Sequence, residues 1–285
     1  MRLAMCQVRT QVWDVEGNFS RTLEALEEAG RQNAEIAVTP ECVFHGYGFH
    51  EVEDYPASLR AAAVPADHPR VRAVAEVARR FGMDIVLGFA ELGEEGRIHN
   101  SAALISREGE MLWVYRKVHC RPFESIHHEG CFTPGDTFYV SERPYRETAV
   151  RVGAMICFDR EIPESVRCLR AMGAELIACP LATGTWSMWR QANEADNEMV
   201  TRVRAAENEV FITVVNHGLR FNGGSFTVGP GGQLLYQMGP EPGVRVLDLP
   251  VGCLREKIHA DPLGWMGWGY RRPEVYDRYL AGGSG

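Results

Sequence analysis

The sequence predicts an α/β protein, and three observations carry that prediction. Short runs rich in Val, Ile, Leu and Ala recur along the chain, each about as long as a buried strand. Between several of them lie segments with apolar residues at helical spacing, such as Val71, Val74, Val77 and Ala78. Two glycine-marked turns, Arg107-Glu108-Gly109-Glu110 and Gly229-Pro230-Gly231-Gly232, join strand-like runs as hairpins. Alternating strand and helix periods lay helices against a sheet, and the hairpins add antiparallel strands to it.

In chain order, the first strand is expected at 3–8 and is followed by a helix that Asn18 caps, with Leu23 and Leu26 on its apolar side and Gly30 near its end. The second strand, 35–39, leads to Glu41 and into a loop, Phe44-His45-Gly46-Tyr47-Gly48-Phe49, which reads equally as a pocket wall or a surface turn. A helix at 69–81, a strand at 84–89 and the hairpin 99–106 with 111–115 come next. The segment 116–135 has no regular period. Beyond it, 150–156 is a strand, and the helix after Pro163 carries Val166, Leu169 and Met172 on one face. A strand at 175–179, a turn at 180–185, a long helix at 186–207 and a strand at 210–215 follow. The hairpin 224–228 with 233–236 and a strand at 244–249 close the pattern. No linker interrupts the chain, so a single domain is expected over 1–280, with the glycine-rich 281–285 as a flexible tail. The two halves repeat strand, helix, strand and hairpin in outline.

Composition narrows the function. With 45% hydrophobic and 24% charged residues among 285, the chain has the make-up of an ordinary globular protein. A formal charge of −8 and the lack of a basic run argue against a nucleic-acid partner. No apolar stretch has membrane-spanning length and the N-terminus lacks signal-peptide architecture, so a cytoplasmic location without a membrane partner is expected. The eight cysteines are scattered without a C-x-x-C pair, which favours free thiols over disulfides.

The chemistry centres on Cys157. It follows a buried, β-branched run and precedes a helix, a place where a thiol is held rigidly enough to attack a defined carbon. Two other strands end in complementary groups, Glu41 after Ile36-Ala37-Val38-Thr39-Pro40 and Lys117 after Trp113-Val114-Tyr115-Arg116. A carboxylate, an ammonium and a thiol, each at a strand end, supply a base, an oxyanion stabiliser and a nucleophile. The irregular segment also holds His119, Cys120, Glu124, His127, His128, Glu129 and Cys131, but their spacing matches no defensible zinc pattern, and no metal or cofactor is expected.

Taken in order, Thr39-Pro40-Glu41, Tyr115-Arg116-Lys117-Val118-His119, Phe132-Thr133-Pro134-Gly135-Asp136 and Ile156-Cys157-Phe158-Asp159-Arg160 resemble the nitrilase superfamily of carbon–nitrogen hydrolases over nearly the whole chain. The resemblance implies a four-layer α-β-β-α sandwich, with two mixed sheets between helix layers. It implies Glu41, Lys117 and Cys157 as catalytic residues, joined by a second glutamate after the lysine. Glu129 is taken for that role, with Glu124 as the alternative. Because superfamily nitrilases carry Trp-Glu after the cysteine, Phe158-Asp159 points instead to the amidase and carbamoylase branches. The implied reaction is hydrolysis of a small amide or N-carbamoyl group through a thioester, releasing ammonia; a nitrile substrate is the alternative. Phe44, Tyr47, Phe158, Arg160, Trp186 and His217 are candidate substrate contacts, and Arg160 either binds a substrate carboxylate or pairs with Asp159 or Glu164. The resemblance also implies a homodimer or higher oligomer, paired through the helix after Cys157 and the aromatic segment 265–280. Readings of other classes are a zinc hydrolase or a non-catalytic interaction protein.

Overall fold

A computed structural model of the chain describes residues 1–48, 51–128, 130–184, 190–261, 264 and 267–280. Twelve strands form two six-stranded sheets. In the first, β1 (Arg2–Gln7), β2 (Ile36–Val38) and β3 (Asp84–Leu92) run parallel, and β4 (Ile98–Ile105) and β5 (Met111–Arg116) continue antiparallel. In the second, β7 (Ala149–Ala154), β8 (Leu176–Pro180) and β9 (Phe211–Val215) run parallel, and the antiparallel β10 (Phe226–Val228) and β11 (Leu234–Gln237) follow. The sixth strand of each half crosses to the other sheet. β6 (Val140–Pro144) pairs antiparallel with β7, and β12 (Gly243–Asp248) pairs antiparallel with β1. The repeat visible in outline in the sequence is therefore an interlocked pair, in which neither sheet is complete without the other half.

Alternation along the strands builds the layers. Leu3, Met5, Ile36, Val38, Val86 and Leu104 join the apolar cluster that also holds Val150, Val152 and Leu176 of the second sheet. Their neighbours Ala4, Cys6, Ala37, Ile85, Leu87 and Ala103 face the other way, into the cluster containing Leu26, Val71, Val74 and Ala78 of helices α1 (Val15–Arg31) and α3 (Pro69–Phe81). Strands apolar on both faces are what a parallel sheet covered on both sides requires. The second sheet carries α4 (Pro163–Ala171) and α5 (Arg190–Asn208), which completes the α-β-β-α order.

Several local expectations change. Asp14, not Asn18, caps α1 by accepting from Gly17 N, while Asn18 lies inside the helix, fully buried, bonding the backbone of Gln11 and Phe44. The loop after Glu41 contains a short helix, α2 (Tyr55–Ala62), begun by Asp54 and Pro56. β6 went unread because Val140-Ser141-Glu142-Arg143-Pro144 is a half-exposed edge with no apolar alternation. The expected tail at 281–285 lies outside the described residues.

One backbone approach places the site. Where β3 passes the loop that carries Glu41, a Cβ on Gly88 would lie 2.2 Å from the Pro40 carbonyl oxygen and 3.1 Å from Glu41 Cα. Gly88 N donates to Thr39 Oγ1 at 2.9 Å and fixes the turn into Glu41. Gly88→Ala is therefore expected to destabilise the fold by about 1–3 kcal/mol, the usual cost of forced overpacking. Chemical denaturation would show a lowered midpoint; an unchanged one would mean the loop moves aside freely.

Candidate active site

Glu41 is fully buried, and its backbone is held from two sides. Its N–H reaches the Leu181 carbonyl at 3.4 Å, and its carbonyl lies 2.8 Å from His217 Nε2. His217 Nδ1 meets Thr10 Oγ1 at 2.6 Å, and burial pulls the ring down to about 3, so it stays neutral and donates from Nε2. One of its nitrogens is thus spent on the Glu41 backbone and the other on Thr10. His217 was expected to contact substrate; it acts as a strut, because the turn after β9 tucks it under the Glu41 loop.

Lys117 follows β5, and the hairpin sets it beside β4, with Lys117 N donating to Asn100 O at 2.8 Å. Its ammonium, sealed from solvent, lies between two carboxylates. Nζ is 2.9 Å from Glu41 Oε1, and 2.8 and 2.9 Å from Glu124 Oε1 and Oε2. Burial opposes charge on Lys117, but Glu124 and then Glu41 more than offset it and hold its pKa well above the usual lysine value. Glu41 is pushed up as well, which for a carboxylate favours the neutral form. Burial raises its pKa above the ordinary carboxylate range, with Lys117 countering and Glu124 adding to the rise.

Glu124, the alternative for the second glutamate, lies beside the lysine. Arg121 N at 2.8 Å and Tyr47 OH at 2.8 Å also donate to it. Glu129 lies outside the described residues. Asn100 escaped the sequence reading. Its Nδ2 donates to Glu41 Oε1 at 2.6 Å and lies 3.3 Å from Glu124 Oε1. The signal available was a run of polar residues, His99-Asn100-Ser101, inside an otherwise apolar strand.

Cys157 opens a 3-10 turn, Cys157–Glu161, directly after β7, with φ at +47°. A non-glycine residue is rarely found there, and such strain is typical of positions whose side chain must be aimed. Sγ is 3.7 Å from Thr183 Oγ1, in the same loop whose Leu181 carbonyl accepts from Glu41 N. Burial pushes the thiol up to about 12; Glu41 adds to this and Lys117 opposes it. The resting group is the thiol.

Asp159, also unforeseen, braces the turn against the lysine strand. Its Oδ2 accepts from Ile156 N at 3.0 Å and Tyr115 OH at 2.6 Å, and its Oδ1 accepts from His119 N at 2.8 Å. Residues two before and two after Lys117 are thereby tied to the residue before Cys157.

The remaining candidates scatter. Tyr47 reaches the site through Glu124 and packs edge-on against Phe221. Phe44 does not, because the loop turns its ring into the helix side of the first sheet, T-shaped against Phe19. The Phe158 ring lies under the Arg121 guanidinium at 4.3 Å. Arg160 pairs with neither Asp159 nor Glu164. It is 1% exposed and donates from Nη2 to Asn197 of α5, while Nε and Nη1 have no partner. Trp186 lies outside the described residues. None of the eight cysteines is in a disulfide, and among the described residues no group of three or more His, Cys, Asp or Glu side chains is placed to hold a metal ion. Nor, among them, is any helix long and apolar enough to cross a membrane.

Comparison with known proteins bears on the family. The carbon-nitrogen hydrolase family matches residues 2–257. An (R)-stereoselective amidase from Pseudomonas sp. is 31% identical over 90% of this chain and 87% of its own. N-carbamoylputrescine amidase from Solanum lycopersicum is 28% identical over 92% of this chain and 89% of its own. A solved amidase from Nesterenkonia sp. AN1, bearing acrylamide on its active site cysteine, superposes with a TM-score of 0.76 at 28% identity, covering 98% of this chain and 100% of its own. With a family match across nearly its whole length and the two-sheet sandwich in place, the chain belongs to the carbon–nitrogen hydrolase family of the nitrilase superfamily.

Proposed function

We propose that the chain hydrolyses a small non-peptide amide or N-carbamoyl compound, with Cys157 as nucleophile, Glu41 as general base, Lys117 as oxyanion stabiliser and Glu124 as the second glutamate. The observation that carries this reading is the buried Lys117 between two carboxylates, one of which keeps an oxygen, Glu41 Oε2, without any partner. The amidase and N-carbamoylputrescine amidase relatives, and the active site cysteine of the Nesterenkonia enzyme, support it.

In this scheme the Cys157 sulfur attacks the substrate carbonyl carbon while its proton passes to Glu41. A thiol pushed up to about 12 cannot leave its proton to bulk water at neutral pH, so transfer accompanies attack. Charge developing on the carbonyl oxygen is met by the Lys117 ammonium and a backbone N–H after Cys157. Glu41 returns the proton to the leaving nitrogen, ammonia departs, and a thioester remains. Water then attacks the thioester, giving its proton to Glu41. As the carboxylic acid leaves (a carbamic acid when the substrate is an N-carbamoyl compound), that proton returns to sulfur. The unpartnered Nε and Nη1 of Arg160, three residues from the nucleophile, are donors that a substrate carboxylate would satisfy. Screening amides, N-carbamoyl amino acids, ureido amines and nitriles for ammonia release tests the reading, and turnover of nitriles alone would overturn it.

The chain is further proposed to pair with a second copy. Val166 and Leu169 of α4 are buried in their own subunit, so they are not available to a partner. Met172 after α4, and Met199 and Val203 one turn apart on the adjoining α5, are about half exposed, as are several tail tyrosines. Apolar groups grouped in this way on packed helices favour burial against a partner.

Three expected outcomes follow. Cys157→Ala abolishes ammonia release while circular dichroism shows an intact fold; retained turnover would remove the nucleophile assignment. Glu124→Gln loses at least about a hundredfold in kcat/KM, the order of a lost electrostatic contact at a reacting site, while Glu129→Gln stays near wild type. The reverse pattern would exchange their roles. Sedimentation at micromolar concentration finds the full chain dimeric or larger and Met199→Glu/Val203→Glu monomeric. A monomeric full chain would refute the pairing, and a chain ending before Asp261 that stays dimeric would show that the tail does not hold it.

A further inference from the structure

We propose that Asn100 is the positioning residue that lets two carboxylates remain ionised beside one lysine, and that it thereby directs the proton taken from Cys157 to Oε2 of Glu41. The inference rests on the reading of Glu41 as the base.

Charge counting shows the difficulty. Glu41 and Glu124 bring two negative charges against the single positive charge of Lys117, and all three side chains are sealed from solvent. Carboxylates that share a dry site drive one another to take up a proton unless other donors meet the second charge. Glu124 has Tyr47 OH and Arg121 N besides the ammonium. Glu41 has only Asn100, and the Asn100 amide is the one group other than Lys117 that reaches both carboxylates. Its nitrogen must face them, since the carbonyl oxygen would set a further negative atom against two carboxylates. Cys42 Sγ, which donates to Asn100 Oδ1 at 3.4 Å, holds it that way round, while the backbone of Asn100 is fixed beside Lys117 by the 2.8 Å bond from Lys117 N to its carbonyl.

Proton placement follows. Oε1 of Glu41 accepts from both Asn100 and Lys117, so protonation there would break a bond already made. Oε2 is buried and has no partner among the described residues. The proton from Cys157 therefore resides on Oε2, and it is passed from there to the leaving nitrogen. Among the described residues, the titratable groups around Glu41 are Lys117, Glu124, Cys42, Tyr47, Cys157 and His217, with Cys120 and Cys179 beyond them. Of these, Glu124 is the one whose negative charge Asn100 helps Glu41 to tolerate.

The test is the pH dependence of Cys157 alkylation by iodoacetamide, followed by peptide mass mapping in the full chain. Losing a hydrogen bond to an ionised group should move the acidic limb of the rate profile up by about one to two pH units in Asn100→Leu. In Asn100→Leu/Glu124→Gln the limb should return towards the wild-type position, since one ammonium then faces one carboxylate. A limb that stays put in Asn100→Leu, or that stays equally displaced in the double variant, overturns the proposal. Asn100→Ser, whose hydroxyl reaches one carboxylate at most, carries the same comparison if the leucine variant does not fold. Failure of the underlying reading would look different, with Glu41→Gln keeping both the limb and the rate of the wild type.

Discussion

One ammonium held between two carboxylates in a dry interior is the constraint on which the rest depends. Exposed, Lys117, Glu41 and Glu124 would be screened and would do little for a thiol. Buried, each alone would be expensive, and the arrangement survives only because every charge but one oxygen is met by a donor or an opposite charge. The three groups come from the ends of two strands and an irregular segment, so the fold must bring distant parts of the chain to one point. The site is thus a consequence of sheet packing as much as of side-chain chemistry.

That convergence is enforced by ties between the sheets. Asp159 bonds the nucleophile turn of the second sheet to residues on either side of Lys117 in the first. His217 and Leu181, from the second sheet, hold the backbone of Glu41 in the first. Elsewhere, Asp84 of β3 is gripped by Arg143 of β6 and by Tyr145, a buried ionic tie between the sheets. The exchange of β6 and β12 between halves makes sliding of one sheet on the other costly, because it would break strand pairing as well as side-chain contacts. On the proposed reading, rigidity of this kind would keep a thiol, a base and an oxyanion donor in productive geometry.

Much of this was legible in the sequence, for definite reasons. Strands apolar on both faces and the amphipathic helix from Pro69 announced themselves by period, and the glycine turn at 229–232 marked its hairpin. Glu41, Lys117 and Cys157 stood out as reactive groups at strand ends. What failed depended on neighbours far away in the chain. Asn18 looks like a cap by type, but Asp14 stands at the helix start and Asn18 is needed inside to bond the Phe44 loop. Phe44 and His217 resemble pocket residues until tertiary packing turns one into the core and the other onto Glu41. In the irregular segment, spacing could not rank Glu124 against Glu129, since no period runs through it; Glu124 is found beside Lys117, and Glu129 lies outside the described residues. Asn100 and Asp159 matter through the hydrogen bonds they make to distant residues, which no local pattern encodes.

The central claim is that this buried ion cluster makes Cys157 a covalent catalyst. The most direct measurement is mass spectrometry of the enzyme acid-quenched within the first turnover of its best amide substrate, in the wild type and in Lys117→Ala. The account predicts an added acyl mass on the peptide that contains Cys157 in the wild type and none in Lys117→Ala. No acyl mass in the wild type during turnover, an acyl group on another cysteine such as Cys42, or equal acylation without Lys117 would contradict it.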